Sequence, residues 1–147
     1  WGNGWENNKS ECLQSSIVGH AIFGDFYAIA INASRINLGL LQEKAKGASS
    51  GDLSTARTFH ITPSGGFMLH ERTDEVLNYY KEDIEIACFS SDTELVDKVR
   101  FYLGNVVARN HIAEIGRNRC LAENKHSERA GSIIKKYECK FEKRDNI

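Results

Sequence analysis

An arginine and a histidine stand three positions apart, just upstream of a pair of glycines. Arg57 and His60 lie in the segment TARTFHI, and Gly65 and Gly66 precede an apolar run at residues 67–69. If TARTFHI forms a short helix, Arg57 lies in its first turn and shares a face with His60. The start of a helix attracts phosphate through unpaired N–H groups, and an arginine adds two parallel hydrogen bonds. Since the glycines would let a ligand or a strand approach closely, these residues together predict a cradle for a diphosphate.

Two acidic residues flank this segment, and each candidate also has a simpler interpretation. Asp52 lies eight residues before His60 in a Gly/Ser-rich loop, where an aspartate is usually a turn residue. Glu71 follows the apolar run and can face either a ligand or solvent. Taken alone, Arg57 is more simply an arginine on a solvated helix face, and His60 a packed, hydrogen-bonded histidine. The arginines further along the chain are most simply solvent-exposed: Arg109, Arg117 and Arg119.

The elements that must position these residues alternate between short apolar strands and helices. Strands are predicted at residues 16–21, 35–41, 67–69 and 85–89. Helices are predicted at residues 26–33, 55–62, 107–123 and 127–141, with one more behind the capping sequence SDTE at residues 91–94. This alternation predicts an α/β fold, a Rossmann-like parallel sheet with helices on both faces. Ligands bind beyond the carboxyl ends of such strands, here in the loops after Ala21, Leu41 and His70.

Composition narrows the classes of function. A chain of 147 residues with 41% hydrophobic side chains fits one domain with one core. Its 19 basic and 20 acidic residues leave a net charge of −1, so neither nucleic acid nor an anionic membrane surface is an expected partner. We expect no membrane span and no signal peptide, because no apolar run is long enough. Since the only methionine is Met68, we expect the chain to be a piece of a longer protein.

The cysteines are widely and irregularly spaced, with no CxxC pair. They are Cys12, Cys88, Cys120 and Cys139. A disulfide framework is not expected in a chain with a good core, so the pattern predicts reduced thiols and a cytoplasmic location. Metal ligands usually come in close pairs, so no metal site is expected either.

A series of short motifs runs in order along residues 16–135. It comprises RINLGL at 35–40, Asp52, RTFHI at 57–61, GGFML at 65–69, ER at 71–72, FYL at 101–103, Arg109, IA at 112–113, GR at 116–117, RC at 119–120, Ser127 and Arg129. This series resembles the C-terminal, donor-binding domain of GT-B-fold group 1 glycosyltransferases. More narrowly, it is similar to the spore-maturation-protein type of these domains.

The resemblance implies a fold, a ligand and partners. Residues 1–147 would be one Rossmann-like domain, half of a GT-B fold, with residues 1–14 as a loop leading into it and 127–147 as a C-terminal helix. The ligand would be a nucleoside-diphosphate sugar, which is the donor substrate. The partner would be an N-terminal domain of the same protein that binds the acceptor. No cofactor or metal ion would be needed, because arginine and helix N-termini offset the charge of the departing diphosphate.

The resemblance also implies roles for individual residues. The loop carrying His20 and Ala21 would meet the base, and Arg57 would face the diphosphate. The helix containing His60 would meet the ribose. The glycines at residues 65–66 would let the donor approach the sheet edge. Asp52 and Glu71 complete the expected donor site.

One departure from the family pattern leaves two functions open. The family usually has a glutamate where this chain has His60, and group 1 enzymes have a second one where Asp52 stands. A neutral histidine accepts only one hydrogen bond and carries no negative charge. The chain is therefore expected to be either the donor-binding part of a glycosyltransferase or a non-catalytic domain with a degenerate nucleotide site, acting in binding or assembly. A flavodoxin-like or receiver-type domain is a weaker third interpretation, because the motifs of both are missing.

Overall fold

Within the described part of the chain, a parallel sheet of three strands forms the centre of the fold. The computed structural model describes residues 9–41, 51–123 and 126–142, and leaves the side chains of residues 123, 126–129 and 139–142 undescribed. The strands are β1 (Asn37–Gly39), β2 (Met68–Glu71) and β3 (Ala87–Phe89), in the order β1-β2-β3. Leu38 pairs with Leu69, and Leu69 pairs with Ala87. Because all pairs are parallel, the three carboxyl ends meet at one edge of the sheet.

Helices precede, connect and follow the strands. Those before β3 are α1 (Glu11–Gln14), α2 (Gly24–Ala33), α3 (Ala56–His60) and α4 (Asp74–Tyr79). Those after β3 are α5 (Asp92–Gly104), α6 (Val106–Glu123) and α7 (His126–Glu142). The hydroxyl of Ser91 accepts a hydrogen bond from the N–H of Glu94 at 3.2 Å, which caps α5 as its sequence predicts. The predicted α/β fold with a parallel sheet is confirmed.

The structure differs from the predicted order of elements in three places. Residues 16–21 form no strand, and Val18 is 65% exposed; Gly19 has a φ of 142°, which interrupts an extended run. Helix α1 lies within residues 1–14, for which the sequence predicts a loop. Helix α4 was not predicted, although Thr73 caps it by accepting from the N–H of Val76 at 3.1 Å. The run TDEV carries that cap signal.

The two faces of the sheet are covered by different side chains. Neighbouring residues of a strand point to opposite faces, so Met68 and Leu69 enter different clusters. The α3 face buries Ile61, Met68, Val76, Tyr80, Ile86, Cys88 and Cys120. The α5 face buries Phe67, Leu69, Ala87, Phe89, Tyr102 and Ile112. Helix α6 contributes to both clusters, so it passes from one face to the other.

Helix α6 crosses the chain just before β3 at close range. A Cβ added to Gly116 would lie 2.3 Å from the carbonyl oxygen of Glu85. Glu85 is buried and forms an ion pair with Arg119. Arg109 is also buried and donates to the carbonyl of Tyr102 at 2.8 Å. The expectation that Arg109 and Arg119 are simply solvent-exposed is therefore wrong, because both fix α6 to the core.

Two further observations concern the surface and the thiols. Within the described ranges, no helix is both long and apolar enough to cross a membrane. Cys12, Cys88 and Cys120 are free thiols, and the latter two are buried, whereas the Cys139 side chain lies outside the described residues. Burial raises the pKa of Cys88 to about 11, so its thiol is protonated and unreactive at neutral pH.

Candidate functional site

The segments that follow β1 and β2 are joined at the carboxyl edge of the sheet. The carboxylate of Glu71, at the end of β2, accepts a hydrogen bond from the N–H of Leu41 at 3.3 Å. The hydroxyl of Thr73 donates to the carbonyl of Leu53 at 2.6 Å. Half-buried Asp52 immediately precedes Leu53. The chain that leads into α3 is thus fixed against the start of α4, and α3 begins at the carboxyl edge.

Helix α3 carries Arg57 and has only five residues. Its start is closed by the N–H of Thr55, which donates to the hydroxyl of Thr58 at 3.0 Å. Arg57 is half-buried, and its guanidinium has no hydrogen-bond or ion-pair partner in the part of the chain that the structure describes. The dipole of so short a helix is small. The expected attraction for phosphate therefore rests mainly on the Arg57 side chain.

Tyr27 of α2 joins this group, although the sequence interpretation did not single it out. Its ring meets that of His60 edge to face, with 6.1 Å between ring centroids and an interplanar angle of 80°. Burial raises the pKa of Tyr27 above its usual 10.0, and the charge of Arg57 works against that rise. The hydroxyl is therefore protonated at neutral pH and can donate a hydrogen bond. The signal in the sequence is weak, since it is one tyrosine in an apolar helical run.

His70 of β2 is a second residue that the sequence interpretation did not place in the site. It is 0% exposed, on the α3 face. Its Nε2 lies 2.8 Å from the Thr58 hydroxyl, and its Nδ1 lies 2.6 Å from the Glu71 carbonyl oxygen. Burial lowers the pKa of His70 below 6.5. The hydrogen bond to the Glu71 backbone and the charge of the Glu71 carboxylate oppose this lowering, whereas the charge of Arg57 adds to it. The charges of Arg57 and Glu71 thus both influence the pKa of the buried His70 imidazole.

The glycine pair precedes the first residue of β2, at the edge of the sheet opposite to Glu71. Gly65 has a φ of 83°, which makes the turn before the strand. A Cβ on Gly66 would lie 2.6 Å from both the Ile31 Cγ2 and the Asn37 Nδ2 atoms. These contacts give the glycines a packing role between α2, β1 and β2. Their contact with a ligand stays a prediction.

The remaining predicted residues lie ahead of α2. His20 is exposed and Ala21 is half-buried in the segment that leads to α2. This segment leads directly into α2, and the ring of Tyr27 in α2 contacts the ring of His60. The described contacts therefore bring Arg57 and His60 together with Tyr27 around α3. They place the start of α3 and the end of β2 at one edge of the sheet.

An open depression of about 650 Å³ lies elsewhere, beside α5. It is lined by Asp83, Ser91, Thr93, Glu94, Asp97, Lys98, Phe101 and Tyr102, so it shares no residue with the Arg57 group. Lys98 in its wall is already paired with Glu94 at 3.1 Å. The depression therefore offers no unpaired lysine to an anion. Within the described residues, no three His, Cys, Asp or Glu side chains are grouped as metal ligands would be.

Comparison with known proteins identifies one family. A family model described as glycosyl transferase-like matches residues 1–135. Searches of curated proteins and of solved structures gave no match. The matched range covers the whole sheet, the segment that leads into α3 and helix α6.

Proposed function

The chain belongs to the glycosyl transferase-like family, and from this premise we propose that it is the donor-binding domain of a glycosyltransferase. It holds a nucleoside-diphosphate sugar while the sugar moves to an acceptor. Within the family we assign it to the spore-maturation-protein type, as the C-terminal half of a GT-B fold. The parallel sheet with α3 at its carboxyl edge supports the donor-binding role, since ligands of such sheets bind there.

The observation that carries the proposal is the environment of Arg57. Arg57 is half-buried, and its guanidinium has no hydrogen-bond or ion-pair partner among the described residues, so its N–H groups remain available to bind an anion. A diphosphate supplies the missing oxygens and matches the planar fork of arginine. In the proposed complex, Arg57 therefore binds the diphosphate and is the residue that acts on the leaving group.

The neighbours of Arg57 are assigned to the nucleoside. In the proposal, His60 and Asp52 face the ribose hydroxyls, and the segment with His20 and Ala21 faces the base. Tyr27 lies against His60 and has an apolar ring on which a base or ribose can pack. Glu71 closes the carboxyl edge. Residues 65–66 are still predicted to let the donor approach the sheet closely.

The proposed chemistry is displacement of a nucleoside diphosphate from the anomeric carbon. Arg57 stabilises the charge that develops on the leaving diphosphate, so no metal ion is required for that role. If the chemistry follows group 1 enzymes, the anomeric configuration is retained. Transfer needs both substrates held in register, so we propose an acceptor-binding domain as partner. We expect the 147-residue chain alone to give no glycoside product. Formation of a glycoside by the purified chain would contradict this partner.

We also place the protein in the cytoplasm. Three of its cysteines are free thiols, and the wide spacing of all four gives no reason for disulfide bonds. Thiol titration of the denatured, non-reduced protein is expected to find four free thiols. A count of two or fewer would argue for an oxidising compartment instead.

The experiment that tests the donor site is a calorimetric titration. Uridine, guanosine and adenosine diphosphates and their sugar conjugates are titrated into the chain at one salt concentration. We expect one base to bind at least about tenfold more tightly than the others, because a site that hydrogen-bonds a base rejects those lacking the matching groups. Equal affinity for all bases and for inorganic pyrophosphate would leave only a general anion site.

A second candidate function rests on His60. A neutral imidazole cannot accept from both ribose hydroxyls as the family's glutamate does. If the site has decayed, the domain acts in binding or assembly without catalysis. The variant His60→Glu separates the two proposals, because it is expected to tighten nucleotide binding only where the rest of the site is intact. If no nucleotide binds either form, the non-catalytic function is favoured.

A further inference from the structure

A histidine occupies the core where the sheet faces α3. His70 lies at 0% exposure between β1 and β3, with Gly39 and Cys88 as its register partners. Its side chain points to the same face as Met68, where the surrounding cluster is otherwise mostly apolar. An imidazole in such surroundings is kept only if both ring nitrogens are satisfied.

The hydrogen-bond partners of the two ring nitrogens define which nitrogen of His70 carries the proton. Nδ1 lies 2.6 Å from the carbonyl oxygen of Glu71. A carbonyl oxygen can only accept, so Nδ1 carries a proton and donates it. In a neutral ring, Nε2 then accepts from the Thr58 hydroxyl at 2.8 Å. That hydroxyl in turn accepts from the N–H of Thr55 at 3.0 Å. The hydrogen bonds thus run in one direction from the start of α3 to the end of β2.

The ring is also fixed sterically from the side of β1. A Cβ added to Gly39 would lie 2.1 Å from the His70 Cδ2 atom, so the imidazole occupies the space of that missing side chain. On the other side, α3 is held a second time, because the hydroxyl of Tyr80 donates to the Thr58 carbonyl at 2.9 Å. Strand β1, strand β2 and helix α3 therefore meet at this one imidazole.

We propose that His70 is a positioning residue: its Nδ1-protonated neutral imidazole bonds the Thr58 hydroxyl and holds the Arg57-bearing helix against the carboxyl end of β2. The part of this inference that concerns ligand affinity rests on the proposed donor site, since it treats Arg57 as the ligand contact. An apolar side chain would fill the same volume but would leave the Thr58 hydroxyl without this acceptor. The imidazole sets the direction of the bond and therefore the position of Arg57.

The surroundings keep the ring neutral. From α3 the charge that faces it is Arg57, and from β2 it is Glu71. The neighbour on β3 is the buried, protonated thiol of Cys88, and the neighbour on β1 is Gly39, which carries no charge. Protonating Nε2 would remove the acceptor of the Thr58 hydroxyl. Acid is therefore expected to loosen α3 before it unfolds the sheet.

The test uses a matched pair of variants of Thr58. Thr58→Ser keeps the hydroxyl, whereas Thr58→Val keeps the shape and removes it. Nitrogen-15 NMR of the imidazole reports the tautomer, and hydrogen exchange reports the opening of α3 through the amide of Ile61, which bonds the Arg57 carbonyl. The amide of Leu95 in α5 serves as the internal control. Affinity is measured with uridine, guanosine and adenosine diphosphates as probes.

The parent chain and Thr58→Ser are expected to show a proton on Nδ1 and none on Nε2 at pH 7. Thr58→Val is expected to speed exchange at Ile61 by about tenfold or more relative to Leu95, because both the His70 Nε2 and the Thr55 N–H lose the hydroxyl as their hydrogen-bond partner. Thr58→Val should also lower the affinity for the best-binding nucleoside diphosphate by a similar factor. A proton on Nε2, or equal acceleration at both amides, would overturn the positioning role. If no probe binds the parent chain, the donor site fails, while the tautomer and the exchange ratio still decide the role of His70.

Discussion

The two faces of the sheet are stabilised by different kinds of interaction. On the α5 face the buried cluster consists of apolar and aromatic side chains, such as Leu69, Phe89 and Ile112. On the α3 face the same sheet buries a hydrogen-bonded series of polar groups. That series joins Thr55, Thr58, His70, Tyr80, Thr62 and Cys120.

The difference separates stability from precise positioning. Apolar burial is non-directional, so it stabilises the fold without fixing one side chain to within a fraction of an ångström. Hydrogen bonds add little net free energy each but impose a direction, and leaving one unmade is costly. The face that carries Arg57 is the hydrogen-bonded one. We infer that the α5 face stabilises the domain and the α3 face positions its candidate site.

The largest expected effect lies on the α5 face. Leu69→Ala is expected to destabilise the domain by about 2–5 kcal/mol, because a fully buried leucine leaves a cavity. The measurement is urea unfolding followed by circular dichroism. Val96→Ala, at a 46% exposed position of α5, is the control and should change stability by less than about 0.5 kcal/mol. Nucleotide affinity of the folded fraction should stay unchanged in Leu69→Ala. A specific loss of affinity would break the separation between the two faces.

A smaller effect, with a distinctive pattern, is expected at the contact between β1 and His70. Gly39→Ala is expected to cost about 1–3 kcal/mol, because its Cβ overlaps the His70 ring and forces the imidazole to move. Adding His70→Ala removes the overlapping ring. The double variant should therefore be more stable than the sum of the two single changes predicts. Strictly additive unfolding free energies would show that the ring does not occupy this space.

Removing the hydroxyl of one tyrosine on each face allows a direct comparison of the two faces. Tyr80→Phe removes a hydroxyl that donates to the Thr58 carbonyl at 2.9 Å and lies 3.1 Å from the Thr62 hydroxyl. It is expected to cost about 1 kcal/mol or somewhat more. Tyr102→Phe on the α5 face is the matched control, with an expected change below about 0.5 kcal/mol. Equal costs in chemical denaturation would remove the distinction between the faces.

The smallest expected effect is a dependence of stability on pH. Burial lowers the pKa of His70 in the folded state below the ordinary 6.5, so protonation favours the unfolded chain. The contribution of the neutral ring is fully present above pH 6.5 and is lost as the pH falls from there through the lowered folded pKa. Unfolding free energies measured between pH 8 and pH 5 should show this decline. His70→Gln should flatten it, whereas His111→Gln, at an exposed position of α6, should not.

Local signals in the sequence are sufficient for much of the fold. The serine cap of α5 and the apolar runs of β2 and β3 each depend on a few neighbouring residues, so they can be read directly. The run at residues 16–21 has the composition of a strand but no strand beside it in the described structure. Strand formation depends on a partner distant in sequence, and composition does not supply that information.

The candidate site was only partly predictable for a similar reason. Arg57 and His60 share a short helix, so their spacing brings them to one region. Tyr27 and His70 join them through packing of α2 and β2 against α3, which depends on the topology of the sheet. Arg109 and Arg119 showed the opposite error. Arg109 is buried against the Tyr102 carbonyl, and Arg119 is half-buried where α6 crosses Glu85; no local pattern encodes either contact.

The most direct test of the central claim compares two arginines in one nucleotide titration. Arg57→Ala removes the guanidinium at the carboxyl edge, and Arg100→Ala removes an exposed one on α5 that pairs only weakly with Asp97 at 3.9 Å. Both variants change the net charge equally, and circular dichroism checks their folding. Affinity for the best nucleoside diphosphate is measured by calorimetry at one salt concentration. We expect Arg57→Ala to weaken binding by about tenfold or more, since a hydrogen bond to a charged group contributes roughly 1.5–3 kcal/mol. Arg100→Ala should bind like the parent chain, and His60→Ala should lose only a few fold. If Arg57→Ala binds as tightly as Arg100→Ala, the donor site does not lie at α3.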